Sequence, residues 1–354
     1  MRATLLHGAG DIRVSTVPDP SLRDPRDALV RVTHACICGS DLWPYRSAPE
    51  SAEGRRIGHE FLGVVEAVGG EVTRLAPGDR VIAPFMYSDG TCTHCRAGWP
   101  TSCIAGGFWG GDDTFGRLVD GGQGEYVRVP LADGTLVPVP EETDPKLDPA
   151  LLSLSDVMGT GHHAAVSARV RQGGTVAVVG DGAVGLCGVL AARRLGAARI
   201  IALSRHDDRW RLAEHFGATD RVDERDPVEA AAQVRDMTAG VGVDSALECV
   251  GTRQAFDTAV EIARPGGAIG YVGVPQDLVE RRAEIPLRLM FERNLTLSGG
   301  LAPARAYLPD LLADVLAGSL DPGPVFDLVL PLAEAADGYR AMAERTAVKV
   351  LLTP

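Results

Sequence analysis

No stretch of the 354-residue chain is long and apolar enough to cross a bilayer. The longest uncharged apolar segment near its middle, Gly182 to Ala192, falls well short of the ~20 residues a membrane helix needs. The first residues, MRATLLHGAGDIRV, lack the extended apolar core of a signal peptide and read as a strand and turn. Both absences set the expectation of a soluble, cytoplasmic protein without a membrane partner. Positive charge is also scarce, with 35 Lys and Arg against 47 Asp and Glu and a formal net charge of −12. No basic stripe relieves it, which argues against nucleic acid and anionic surfaces as partners and against a zinc-stapled nucleic-acid module. Internal repeats and low-complexity tracts are missing too.

What is present is ordinary globular material, 45% hydrophobic and 23% charged, in a chain long enough for two domains. Seven cysteines, an odd number, suit metal binding or catalysis better than a disulfide framework in a reducing compartment. Five of them, Cys36, Cys38, Cys92, Cys95 and Cys103, fall in the first third. Cys187 and Cys249 stand among apolar neighbours and read, like Cys36, as small buried residues.

The first ~150 residues are rich in Gly, Pro and short β-branched runs such as DALVRVTHAC, FLGVVEAVG and DRVIAPF, which predict strands joined by turns. From Thr175 the texture changes. Apolar strands (TVAVVG, RIIALS, VDSALECV, AIGYVGV) alternate with segments of helical period (AVGLCGVLAARRLG, DDRWRLAEHFG, EAAAQVRDMTAG, QAFDTAVEIA). That alternation predicts a parallel sheet covered on both faces, hence an α/β chain whose second part is doubly wound. A helix, YLPDLLADVLAGS, and a strand, KVLLTP, close the sequence.

Gly180, Asp181, Gly182, Ala183, Val184 and Gly185 spell GDGAVG directly after an apolar strand and at a helix start. Glycines there permit a tight turn and close backbone approach, and the helix N-terminus offers unpaired N–H groups to a pyrophosphate. The spacing therefore predicts a dinucleotide site at Gly180, Gly182, Ala183, Val184 and Gly185. An NAD site needs an acidic residue at the end of the second strand, to accept from the ribose hydroxyls. This chain has Ser204 there, then Arg205 and His206. A hydroxyl and a guanidinium suit a 2′-phosphate, so the pattern favours NADP(H). Asp207 and Asp208 remain the alternative ribose contacts, although both sit where the next helix wants its N-cap.

Two further patterns lie in the first third. One is CGSD at Cys38 to Asp41, then GHEFLGVVEAVGGEV from Gly58 and GDRV at Gly78. The other is TCTHCRAGWPTSC. With GDGAVG downstream, the chain resembles, nearly end to end, the zinc-dependent medium-chain alcohol dehydrogenases, whose signature is the GHE stretch. The resemblance implies a GroES-like catalytic domain at 1–155, a Rossmann domain at 156–294, and a C-terminal segment, 295–354, that returns to the catalytic part. It also implies a homodimer or homotetramer, with LTLSGG near Leu295 as a pairing edge strand.

By the same resemblance Cys38 and His59 are the first two ligands of a catalytic zinc. The third falls at Asp156, where many relatives carry cysteine. One thiolate and one carboxylate leave the ion formally neutral, as two thiolates would. His162 and His163 lie further along the same helix and read as structural. Glu60 matches the family carboxylate that approaches the metal during ligand exchange. The cysteine lobe departs from the family's four cysteines. Its spacing puts Asp89 in the first position, with Cys92, Cys95 and Cys103, and that set is expected to keep a structural zinc; His94 is the alternative fourth ligand. Ser40 aligns with the hydroxyl that bonds the substrate oxygen, and Trp43 stands where many relatives have a relay histidine. Trp43 then reads as a pocket wall, with Phe85, Trp109 and Met158 as further lining, and Tyr45 as a possible aid to proton exit. The implied substrate is a small-molecule alcohol, aldehyde or ketone. A polyol, sugar or amino-alcohol dehydrogenase using NAD(H) and a non-catalytic nucleotide-binding relative are the alternatives.

Overall fold

The β-branched runs of the first third pair as they alternate. In the computed structural model, which describes residues 1–224, 226–275 and 285–354, Ala28–Cys36 lies antiparallel to Phe61–Val68, which in turn pairs with Arg80–Ala83. Inward positions of these strands, among them Val30, Val32, Phe61, Val65 and Val81, form one core with Tyr87, Trp109 and Tyr339. The final strand, Val350–Thr353, pairs antiparallel with Ala28–Cys36, placing Leu351 opposite Cys36. This closes the chain's end onto its beginning. Contacts divide the molecule into two units, Met1–Asp156 with Pro303–Pro354, and Val157–Ala302.

The second unit is a parallel sheet with helices between its strands. We number its strands β1 (Thr175–Val179), β2 (Arg199–Leu203), β3 (Asp220–Val222), β4 (Val243–Glu248), β5 (Ala263–Tyr271) and β6 (Thr296–Gly299). Its longer helices are α1 (Val157–Ser167), α2 (Ala183–Arg194), α3 (Asp207–Phe216), α4 (Pro227–Met237) and α5 (Arg253–Ile262). Strand order is β3-β2-β1-β4-β5-β6, the doubly wound dinucleotide arrangement. The segment LTLSGG therefore supplies β6, paired parallel to β5 at the sheet edge, and the unit runs to Ala302. The sequence places a boundary at 294, before this strand, because a four-residue strand with half-buried side chains gives little periodicity to read.

Candidate metal centres and dinucleotide loop

The segment after the strand Ala28–Cys36 turns at once. Cys38 precedes a single 3-10 turn, Gly39–Asp41, and the Asp41 carboxylate reaches back to accept from the Cys38 N–H at 3.0 Å. This reciprocal cap fixes the Cys38 thiol and aims the other Asp41 oxygen at His59 Nδ1, 3.3 Å away. His59 enters from a tight approach at Gly58, whose φ is +96° and where a Cβ would meet Gln123 Cγ at 2.4 Å. Only glycine fits. Asp156 ends the first unit, immediately before α1.

These elements bring Cys38, His59, Glu60 and Asp156 together, with their ligand atoms within 4.8 Å of one another. Cys38 Sγ stands 3.5 Å from Asp156 Oδ2, and His59 Nε2 stands 3.6 Å from the same oxygen. Ligands bound to zinc at 2.0–2.3 Å in a tetrahedron stand about 3.3–3.8 Å apart, so the observed separations fit that ion. His59 is held from behind by a carboxylate, the arrangement that fixes the tautomer of a ligating imidazole. Burial and then the Asp156 carboxylate push the Cys38 thiol up, and His59 is held well above its ordinary range by Asp41 against the opposing effect of burial. A thiol, a carboxylate and an imidazole at these separations are a donor set suited to zinc.

Sequence reasoning did not find the groups around this set. Lys349 Nζ donates to Glu60 Oε1 at 2.8 Å, and both side chains are buried. Glu60 Oε2 has no hydrogen-bond partner among the described residues. Gln123 donates to the Cys36 carbonyl and to Asp41, and accepts from Tyr339. Cys36 is buried, as expected, and burial, then the Glu60 carboxylate, push its thiol up. Ser40 Oγ lies 3.5 Å from His59 Nε2, at the edge of the group.

The lobe forms a second set. Asp89, Cys92, Cys95 and Cys103 place one ligand atom each within 4.8 Å of the others. Cys92 and Cys103 sulfurs are 3.9 Å apart, close to the ~3.8 Å edge of a zinc–thiolate tetrahedron. Asp89 is fixed by N–H donors from Thr91 and Cys92, which hold its carboxyl low although burial opposes them. His94 is exposed and outside the set. His162 and His163 are buried in α1, where burial lowers His163 and the Gly299 backbone bonds it. Neither joins the first set.

In the second unit the glycine loop follows β1, and Gly182 caps α2. At Gly185 a Cβ would meet the Gly180 carbonyl oxygen at 2.0 Å, so helix and loop close only around glycine. Ala183 and Val184 open α2. Ser204 is buried at the end of β2, and Arg205 is exposed. Asp181, passed over in the sequence, lies against this strand end and accepts from Ser204 Oγ at 3.1 Å. Asp207 and Asp208 do not cap α3. They lie in its first turn, paired to Arg221 and Arg211, and the cap residue is His206.

Of the aromatic candidates, Trp43 is partly exposed on the short helix Leu42–Ser47. Phe85 is buried, its N–H on the Ser155 carbonyl. Trp109 belongs to the core, edge-on to Phe61 and Tyr87 with its indole N–H on the Pro84 carbonyl. Tyr45 leans on Tyr339. Met158 is fully buried in the first turn of α1.

The family model for the alcohol dehydrogenase GroES-like domain matches residues 24–141, and that for the zinc-binding dehydrogenase matches residues 183–317. A probable zinc-binding alcohol dehydrogenase of Mycobacterium tuberculosis is 37% identical over 347 residues, covering 98% of this chain and 86% of its own. An NADP-dependent isopropanol dehydrogenase of Thermoanaerobacter brockii is 36% identical over 300 residues, covering 82% and 81%. Among solved structures, an alcohol dehydrogenase of a Thermus species is 36% identical, with a TM-score of 0.91 and 100% of both chains covered.

Proposed function

The chain belongs to the zinc-dependent medium-chain alcohol dehydrogenases, and on that premise we propose that it transfers hydride between NADP(H) and a small alcohol or its aldehyde or ketone. The observation that carries the reading is the meeting of Cys38 Sγ, His59 Nε2 and Asp156 Oδ2 at 3.5–3.6 Å, with Asp41 behind the imidazole. In this reading those three residues hold the catalytic zinc, and Asp89, Cys92, Cys95 and Cys103 hold a structural one. The catalytic ion, when bound, supplies the Lewis acidity that makes an alcohol hydroxyl acidic at neutral pH.

The chain's own residues do the rest. Asp41 keeps His59 Nε2 turned inward, and Lys349 anchors Glu60 beside the donor set. The Ser40 hydroxyl takes the alcohol proton. With Trp43 in place of a relay histidine and Tyr45 committed to packing on Tyr339, Ser40 passes that proton to solvent. Trp43 and Phe85 supply an apolar wall that favours apolar or aromatic substrates. For the cofactor, Gly180, Gly182, Ala183, Val184 and Gly185 receive the pyrophosphate, and Ser204 with Arg205 receives the 2′-phosphate; the NADP-dependent relative supports this choice. Asp181 at the same strand end favours the second reading, an NAD(H)-linked polyol, sugar or amino-alcohol dehydrogenase. A cytoplasmic homodimer or homotetramer accompanies either reading.

The test is a panel of alcohols, polyols, aldehydes and ketones run with NADP(H) and NAD(H) in parallel on protein of measured zinc content. We expect two zinc ions per chain, turnover of simple alcohols or carbonyls with NADP(H) preferred, and loss of turnover on chelation. Preference for NAD(H) overturns the cofactor assignment. One zinc per chain overturns the structural site.

A further inference from the structure

The dinucleotide unit carries a charged group that the glycine fingerprint does not explain. Asp181, the second residue of GDGAVG, lays its carboxylate across the end of β2. One oxygen accepts from Ser204 Oγ at 3.1 Å, from His206 Nδ1 at 2.8 Å and from the Arg205 N–H at 3.3 Å. The other faces Arg209 Nη1 at 3.2 Å. The Asp181 and Arg209 side chains are 15% and 13% exposed, so this is an enclosed pair at the rim of the loop. Other charges of the α3 start are engaged elsewhere, Asp207 with Arg221 and Asp208 with Arg211. Arg205 remains exposed beside the pair.

The end of the second strand is where dinucleotide folds read the adenosine ribose. In NAD sites the strand itself provides the acid there; in this chain the strand end is Ser204, and a carboxylate arrives from the neighbouring loop. Its negative charge opposes a 2′-phosphate, while Arg205, Arg209 and His206 attract one. The balance of that small array decides how strongly the two dinucleotides are told apart.

We propose that Asp181 is the residue that sets discrimination between dinucleotides with and without a 2′-phosphate, as the counter-charge to Arg209 and His206 at the end of β2. The proposal rests on the reading of GDGAVG as a dinucleotide site, and holds whichever dinucleotide the wild type prefers. Asp181→Asn keeps the shape and removes the charge, leaving the basic residues uncompensated. Arg209→Gln does the reverse and leaves the carboxylate unbalanced.

Dissociation constants of NADPH and NADH, measured by nicotinamide fluorescence at low ionic strength on the zinc-loaded wild type and both variants, test this. Asp181→Asn is expected to raise the preference for NADPH over NADH by at least about tenfold, a modest effect for a unit charge near a phosphate. Arg209→Gln is expected to lower the same ratio, and added salt to shrink both effects. An unchanged ratio in Asp181→Asn overturns the proposal. So does an equal loss of both affinities, which would make Asp181 a prop for the loop. If the wild type binds neither dinucleotide, the dinucleotide reading itself fails and the proposal falls with it.

Discussion

Lys349 and Glu60 form an ion pair with 1% and 0% of their side chains exposed. Neither charge is solvated, so each depends on the other. Lys349 also faces the Ile37 carbonyl at 3.4 Å, and lies near the Phe326 ring. Removing one partner of such a pair leaves a buried uncompensated charge, at a cost of about 3–5 kcal/mol. Lys349→Met should therefore lower unfolding free energy by that amount in urea titration, and Lys349→Met with Glu60→Gln should recover most of it. Equal stability of wild type and single variant would mean that the pair contributes nothing. At this scale the sequence is partly legible. Cys38, His59 and Asp156 stand out because a ligand must be one of few residue types, in a motif that resembles known ones. Lys349 does not, since it reaches Glu60 across 289 residues and a lysine just before an apolar strand carries no spacing signal. Asp181 is hidden for a related reason: the fingerprint tells which positions must be glycine and nothing about the residue between them.

The elements show how local chemistry fixes a loop. Strand β4 ends on Glu248, which is buried and accepts from the N–H groups of Val250 and Gly251, both at 2.8 Å on one oxygen. Burial raises its carboxyl pKa, and the amide bonds offset only part of that. Between the ordinary carboxyl pKa and the raised one, the folded chain keeps a proton the unfolded chain has released. Stability contributed by this group is thus present at low pH and falls as pH rises through that window. Gln keeps the accepting oxygen and never ionises. Thermal unfolding of Glu248→Gln should match wild type below the window and exceed it above; a melting temperature lower at neutral pH would contradict this. The strands and helices of the second unit are legible because their apolar periods are long. Strand β6 and the α3 cap are not: three half-buried residues and one exposed give no period, and the acids that look like caps of α3 are drawn to Arg221 and Arg211.

For the whole molecule, the division into a β-rich unit and a parallel α/β unit is visible in the change of texture near Thr175. The return of the last strand to pair with Ala28–Cys36 is not. An apolar run such as KVLLTP fits any sheet, and only the resemblance to the family points it to the first unit. The net charge of −12 argues against polyanions as partners, yet Arg205 stays exposed beside the Asp181–Arg209 pair, a local positive charge within an acidic protein.

We propose that Cys38, His59 and Asp156 hold the zinc on which hydride transfer depends. Zinc per chain, determined together with alcohol-dependent reduction of the nicotinamide on one preparation of Asp156→Ala beside wild type, tests it directly. We expect the loss of one zinc of two and a fall in turnover of about a hundredfold or more, since even partners of a ligand cost 10–100-fold when removed. Full zinc content with wild-type turnover would contradict it.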